Sequence, residues 1–423
     1  MTRSPLSPFV VLFVVWLTFV FVSLFGLLQY EQVLGNEAIF DLTLSVAIIF
    51  SISVATKILV RKDIPSIIDD RIPRVEKFLW ITCLLGLFGS LVFSFAVVSS
   101  VGIGSFTDLG TARDAILFSS RSTGALHYVG QFLTPLSYVV VAYCATRARR
   151  LVLRERIYAG ISAVSLLLIS LVQVGRVNFI VLLMICAVRV IYLYNLKKVA
   201  RLTIALIALL GAACVVLVFI FGFARFATGT TEDYYRTQFN AEKRYPTGAL
   251  GGGAMENFSL YACAYFGHSI PNYSWMREVD LPLPLAKGGM QLSLIGRRLS
   301  SLGIPDSQDV SLILKATIIS NGRLPNTWYT ALRDYRLDFG QFWWVWIIIF
   351  ATIASVSHRC FDRHEIFRQL YIWIVVIFVF SPMFSLLNDT FVQLWFIYAV
   401  VFSIVVNRIR RTVKQPFSPK VRK

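Results

Sequence analysis

Two stretches of the chain carry residue types able to do chemistry. The first is residues 326–340, NTWYTALRDYRLDFG, in which Tyr329, Arg333, Asp334, Tyr335, Arg336 and Asp338 crowd together directly ahead of an apolar run. A guanidinium grips a phosphate with two parallel hydrogen bonds. Phenols stack on sugars and share hydrogen bonds with them. A carboxylate can orient a hydroxyl or take its proton. Held at a membrane surface, this set suits a phosphorylated, sugar-bearing lipid better than a soluble metabolite. Asp338 lies deepest, with Phe339, Gly340 and Gln341 before the apolar run. A carboxylate at that depth is costly unless it is paired or functional. The alternative for Asp338 is a structural one, a cap for the following helix or a partner for Arg333 or Arg336.

The second stretch is the tight turn 173–178, QVGRVN, between two apolar runs. Arg176 at the tip of a helical hairpin can present its fork to a pyrophosphate in a low-dielectric interface. It can equally snorkel to lipid headgroups while Asn178 caps the next helix. Arg113 and Arg121 sit in a connector with Gly102, Gly104, Gly110 and Gly124, where a surface helix with a solvated charged face is the plainer reading. Arg225 opens a long polar insert, 225–338, whose cations and acids nearly balance, so most of its charge is ordinary surface charge. No DxD, HExxH, Walker or GxGxxG pattern occurs, and His127 and His268 lack metal spacing. Neither a metal nor a cofactor is expected.

These groups need elements to position them, and the composition says which. Hydrophobic residues make up 57% of the chain and charged ones 15%, with a mean hydropathy of +0.68. Soluble domains are about a quarter charged. The fold expected is an all-α polytopic membrane protein, because the apolar runs are continuous and near the ~20 residues a span needs. Ten runs read as spans: 9–28, 39–60, 78–99, 129–146, 157–173, 177–194, 202–224, 342–357, 371–387 and 391–406. The net charge of +18 lies mostly in alternate short connectors, which places both termini in the cytoplasm and argues against nucleic acid as a partner. The organisation expected is a membrane bundle over 1–224, a large outer loop over 225–340, further membrane helices over 341–406 and a basic tail over 407–423. Within the loop, 256–268 reads as an interfacial or re-entrant helix rich in Tyr and Phe, ended by Pro271. The six cysteines form no pairable set and no CxxC spacing.

On these residues the chain resembles the Wzy-type O-antigen polymerases, which join lipid-linked oligosaccharide repeat units. The points of likeness are the Gly175-Arg176 turn, the aromatic patch 261–271, and Asn326, Tyr329, Thr330, Tyr335, Asp338, Phe339 and Gly340 ahead of the span after the large loop. Val174-Gly175 departs from the family's small-polar version of the turn, and the Asn326 element is one residue longer. The resemblance implies a GT-C-like architecture with about ten transmembrane helices and one large periplasmic loop in the bacterial inner membrane. It implies metal-independent, inverting glycosyl transfer between two undecaprenyl-pyrophosphate-linked glycans, with no cofactor and with a chain-length regulator as a further partner. Arg176 and Arg333 would then stabilise the leaving pyrophosphate and Asp338 would serve the acceptor. Arg113, Arg121, Arg225, Arg336, Asn326, Tyr261, Tyr265, Tyr329 and Tyr335 would bind donor and acceptor. A ligase moving finished polymer to a lipid core shares this architecture. A flippase would need ionisable residues deep in several spans, which these runs nearly lack. A scaffold would tolerate the loss of Arg176.

Overall fold

The computed structural model describes residues 6–30, 34–60, 72–102, 124–147, 151–173, 175, 177–195, 236, 241–246, 253–279, 285–292, 294, 305, 307–322 and 329–414. The expected span 202–224 lies outside the described residues, as do Arg113, Arg121, Arg176, Arg225 and Asn326.

The apolar runs fold as helices because lipid leaves a backbone no partner for its N–H and C=O groups except its own turns. In chain order the first are α1 (Pro8–Phe25), α2 (Asn36–Leu59) and α3 (Pro73–Val101). Next come α4 (Ala125–Leu133), α5 (Leu136–Ala145), α6 (Leu153–Val172) and α7 (Val177–Asn195). The insert contributes α8 (Gly253–Gly267), α9 (Ser269–Glu278), α10 (Ser307–Ser320) and α11 (Ala331–Phe339). The chain closes with α12 (Trp344–Arg359), α13 (Glu365–Phe380) and α14 (Thr390–Lys414). Pro8 and Pro73 open α1 and α3, where a missing N–H costs nothing.

Among the described residues, six helices are long and apolar enough to cross a membrane. They become seven if α12 and the segment Ala331–Phe342, bent from it by 117°, are one broken span. Large apolar side chains such as Leu17, Phe21, Phe50, Ile58 and Leu59 stand exposed along α1 and α2. α13, by contrast, is buried from Tyr371 to Phe378 and forms the centre of the bundle. A surface this apolar is a lipid-facing one, and the chain is an all-α polytopic membrane protein.

One expectation is refined and one corrected. The run 129–146 does form one apolar span, Ala125–Ala145, but α4 and α5 meet at an interruption at Thr134-Pro135, because proline lacks the N–H and its ring clashes with the preceding turn. Pro271 does not end the insert's aromatic helix; it lies in the first turn of α9, where helix N–H groups have no partner anyway. The α3–α4–α5 packing is close because its contacts are small. A Cβ on Gly130 would stand 2.5 Å from the Phe93 backbone nitrogen, and one on Gly86 at 2.9 Å from that of Ser137.

A short ribbon ties the two halves of the chain together. β1 (Leu28–Tyr30) pairs antiparallel with β2 (Ala241–Lys243), Gln29 opposite Glu242. Arg244 extends it, its backbone N–H donating to Leu27 O at 3.0 Å and its Nη2 to Leu24 O at 2.6 Å. Lys243 reaches Glu256 on α8 at 3.6 Å. The insert is thereby fixed to the end of α1.

Candidate active site between α2 and α11

The period of α11 sorts its charges. Asp334 and Asp338, four residues apart, share the buried face with Ala331, Leu332, Tyr335 and Leu337. Arg333 and Arg336, three apart, lie together on the half-buried face. Gly340 ends the helix at φ +56°, in the left-handed region, where a side chain would be strained and a Cβ would also press on Leu285 at 3.1 Å.

Both carboxylates bind backbone. Asp338 accepts the N–H groups of Met290 at 2.7 Å and Gln291 at 3.1 Å, and the indole N–H of Trp346 at 3.0 Å. Asp334 accepts from Arg333 Nε at 2.8 Å, from Ser385 N at 3.2 Å and from Asn388 Nδ2 at 3.0 Å. Ser385 in turn donates its hydroxyl to Gln291 Oε1. α11 is thus clamped between the loop 285–292 and the turn joining α13 to α14.

For Asp338 this overturns one alternative. Its partners are two amides and an indole, not Arg333 or Arg336. It is a positioning carboxylate as it stands, with both oxygens engaged. It stands outside the α12 span. Burial pushes its pKa up to about 7, against the three donors that lower it, with Asp334 nearby adding to the rise. A raised carboxyl pKa stabilises the fold below the unfolded value and loses that contribution as pH rises through 7. His268, between α8 and α9, is held down to about 4 by burial and stays neutral, its effect complete by its unfolded value of 6.5. From pH 6.5 to 8 the thermal midpoint of the purified protein should therefore fall, and Asp338→Asn should flatten that slope. An Asn variant with the wild-type slope would show that another group titrates.

The polar centre of the site was not visible in the sequence. Asp41, in α2, is fully buried. It accepts the Tyr273 hydroxyl at 2.5 Å, Arg277 Nε at 2.9 Å and Arg336 Nε at 3.0 Å, and Arg336 Nη2 also binds it. Arg277 reaches outward to Glu37 at 2.6 Å. The Arg336 guanidinium lies 5.3 Å from the centre of the Trp343 ring. Three elements, α2, α9 and α11, converge on one carboxylate. Two carboxylates, Glu37 and Asp41, four residues apart in the first turns of an apolar helix, were the signal.

The remaining candidates divide. Tyr329 is buried and the Arg333 guanidinium lies 5.2 Å from its ring centre, so this pair belongs to the cluster. Tyr335, expected to face a sugar, instead turns into the bundle and packs against Phe350 at 5.7 Å, since the helical period gives position 335 to the buried face. Tyr261 and Tyr265 lie on α8 with ring centres 6.1 Å apart, and Tyr265 meets Phe266, which meets Phe19 of α1. Asn178 does not cap α7. Its Oδ1 accepts the Tyr138 hydroxyl and its Nδ2 donates to Gln173 Oε1 at 3.4 Å, which pins the two sides of the 173–178 turn. No group of three or more His, Cys, Asp or Glu able to hold a metal occurs among the described residues.

Beneath α11 opens an apolar cavity of about 250 Å³, lined by Leu12, Trp16, Ile49, Tyr335, Phe350 and Phe378 among others. Ala331, Leu332 and Tyr335 form its roof, and on the helical period Arg333 falls on the far side of the same helix, with Arg336 at the edge beside Leu332. One helix therefore carries two carboxylate-paired guanidinium groups beside an apolar chamber. That arrangement can receive an amphiphile with a negatively charged head. Compared with protein-family models, with curated proteins and with solved structures, the chain matches none.

Proposed function

We propose that this membrane protein is a glycosyltransferase of the Wzy type, which lengthens a surface polysaccharide by joining undecaprenyl-pyrophosphate-linked repeat units. The observation that carries the reading is α11, which brings the guanidinium groups of Arg333 and Arg336 next to the roof of an apolar chamber. The proposed topology has ten spans, cytoplasmic termini and the insert facing the periplasm of a bacterial inner membrane, from the basic residues in alternate connectors.

In the proposed step, a hydroxyl of the acceptor glycan attacks the anomeric carbon of the donor. The bond from that carbon to the pyrophosphate oxygen breaks, and the configuration inverts. Negative charge grows on the leaving pyrophosphate, and the hydroxyl proton passes to solvent or to a nearby base. Guanidinium groups already in place lower this barrier, since they need no reorganisation as the charge appears. The described cluster is nearly neutral, because Asp41 and Glu37 offset Arg277 and Arg336, and Asp334 offsets Arg333. The positive excess is therefore assigned to Arg113, Arg121, Arg176 and Arg225, with Arg333 and Arg336 orienting the headgroup. Asp338 fixes the loop 285–292 beside the acceptor path, and Asn326, Tyr261, Tyr265 and Tyr329 are assigned to sugar contacts. A separate chain-length regulator is the expected protein partner.

The test is a strain lacking the gene and complemented with Arg176→Ala. Glycan gels should show lipid core capped by a single repeat, with the variant present in the membrane at normal level. Ladders of ordinary length would overturn the assignment of Arg176. Loss of every capped product, single repeats included, would point to a ligase or flippase instead.

A further inference from the structure

The far end of the bundle holds a second pocket. Lys57 lies sixteen residues after Asp41 on α2, roughly 24 Å along the helix. There Lys57, His358 and Arg359, from the last turns of α2 and α12, line a cavity of about 260 Å³ with Ser53, Thr56 and Ser355. Among the described residues, no carboxylate lines it. Arg359 is held in place by donating its Nε–H to the Val60 carbonyl. Ser355 is 6% exposed, and its hydroxyl has no hydrogen-bond partner among the described residues. A buried hydroxyl without a partner is costly, so this one points to a ligand atom.

The pocket is not closed at its apolar side. Phe9 and Ser53 are shared with a neighbouring cavity of about 370 Å³ that runs between α1 and α2 past Ala47, Phe50 and Phe13. Phe13, Val46 and Ile49 then continue it toward the chamber under α11. A cationic, hydroxyl-lined head pocket opening into an apolar groove matches one ligand shape. Free phosphate would leave the groove unfilled, and a zwitterionic lipid would bring its own ammonium group against Lys57 and Arg359.

We propose that this end of the bundle is a binding site for an anionic glycerophospholipid. Its phosphodiester sits between Lys57, Arg359 and the Ser355 hydroxyl, and one acyl chain lies in the α1–α2 groove. His358 borders the headgroup. The lipid wedges apart two helices that frame the α11 chamber and so supports the chamber from the opposite leaflet. Nothing in this pocket depends on which reaction the other end performs.

Native mass spectrometry and thermal melting of the full-length protein in detergent test it. The probes are dioleoylphosphatidylglycerol, dioleoylphosphatidylcholine and inorganic phosphate. Phosphatidylglycerol should remain bound and raise the melting midpoint, whereas phosphatidylcholine and inorganic phosphate should do neither. Lys57→Gln, a change at an exposed side chain, should weaken phosphatidylglycerol about fivefold. Ala47→Phe, which fills the groove without touching the charges, should weaken it as well. Equal retention of the two lipids, or wild-type affinity in both variants, would overturn the site. Stabilisation by inorganic phosphate alone would overturn the lipid as its occupant.

Discussion

Asp41→Ala should be the most destabilising single substitution at this site. The carboxylate is fully buried and accepts from Tyr273, Arg277 and Arg336, which come from two different helices of the insert. Burying an ion pair returns little net stability, because desolvation consumes most of the attraction. Removing one partner is another matter. Arg336 and Arg277 would remain largely buried with their shared counter-charge gone, and truncations of that kind cost about 3–5 kcal/mol. Tyr273 would lose its acceptor too; burial, and then Asp41, hold its hydroxyl well above the usual phenol range, so it stays a donor in need of a partner. The thermal midpoint of the purified variant should fall by several degrees, and protease should cut the insert sooner than in the wild type. Asp41→Asn should fall between, since the amide keeps one acceptor oxygen. Glu37→Ala is the control. Its side chain is 58% exposed, so its pairing with Arg277 is screened and worth under about 1 kcal/mol. If Asp41→Ala melts like Glu37→Ala, the carboxylate is not what joins α2 to the insert.

What the sequence disclosed and what it hid follow from how far apart the partners lie. The fold class was legible in apolar runs that need no partner to be read, whereas the buried and polar faces of α11 lay in a spacing of three and four residues that was not read. Asp41 was not, because its partners lie 232, 236 and 295 residues away and no local period encodes them. The same holds for Asp338, whose amide partners in the loop 285–292 are 48 and 47 residues upstream. The β1–β2 ribbon was hidden for another reason. Strands of three residues are too short to show alternation. The interruption between α4 and α5 was written in Pro135, and it leaves the span Ala125–Ala145 intact. Tyr335 was misplaced because residue type was read ahead of helical face.

Arg336 is where the structural and the proposed catalytic roles can be separated. Its Nε and Nη2 hold Asp41, its plane lies near Trp343, and its helix carries the roof of the chamber. If it only braces Asp41, then Arg336→Ala should cost stability and leave turnover per folded molecule unchanged. If it also faces the departing pyrophosphate, turnover should drop by about 10²–10³-fold, the usual effect of removing one preorganised donor from a developing anion. Arg336→Lys sharpens the distinction. An ammonium restores the charge beside Asp41 and most of the stability, but it cannot give two parallel hydrogen bonds to a phosphate. The lysine variant should therefore melt near the wild type while chain extension on a lipid-linked acceptor stays depressed at least tenfold. Arg333→Ala is the companion measurement, since Arg333 spends its Nε on Asp334 one residue along the same helix. Loss of turnover in both arginine variants, with stability kept in Arg336→Lys, assigns the half-buried face of α11 to the headgroup. Full turnover in Arg336→Lys together with low stability in Arg336→Ala would reduce this face to a brace and leave the pyrophosphate to arginines elsewhere on the outer surface.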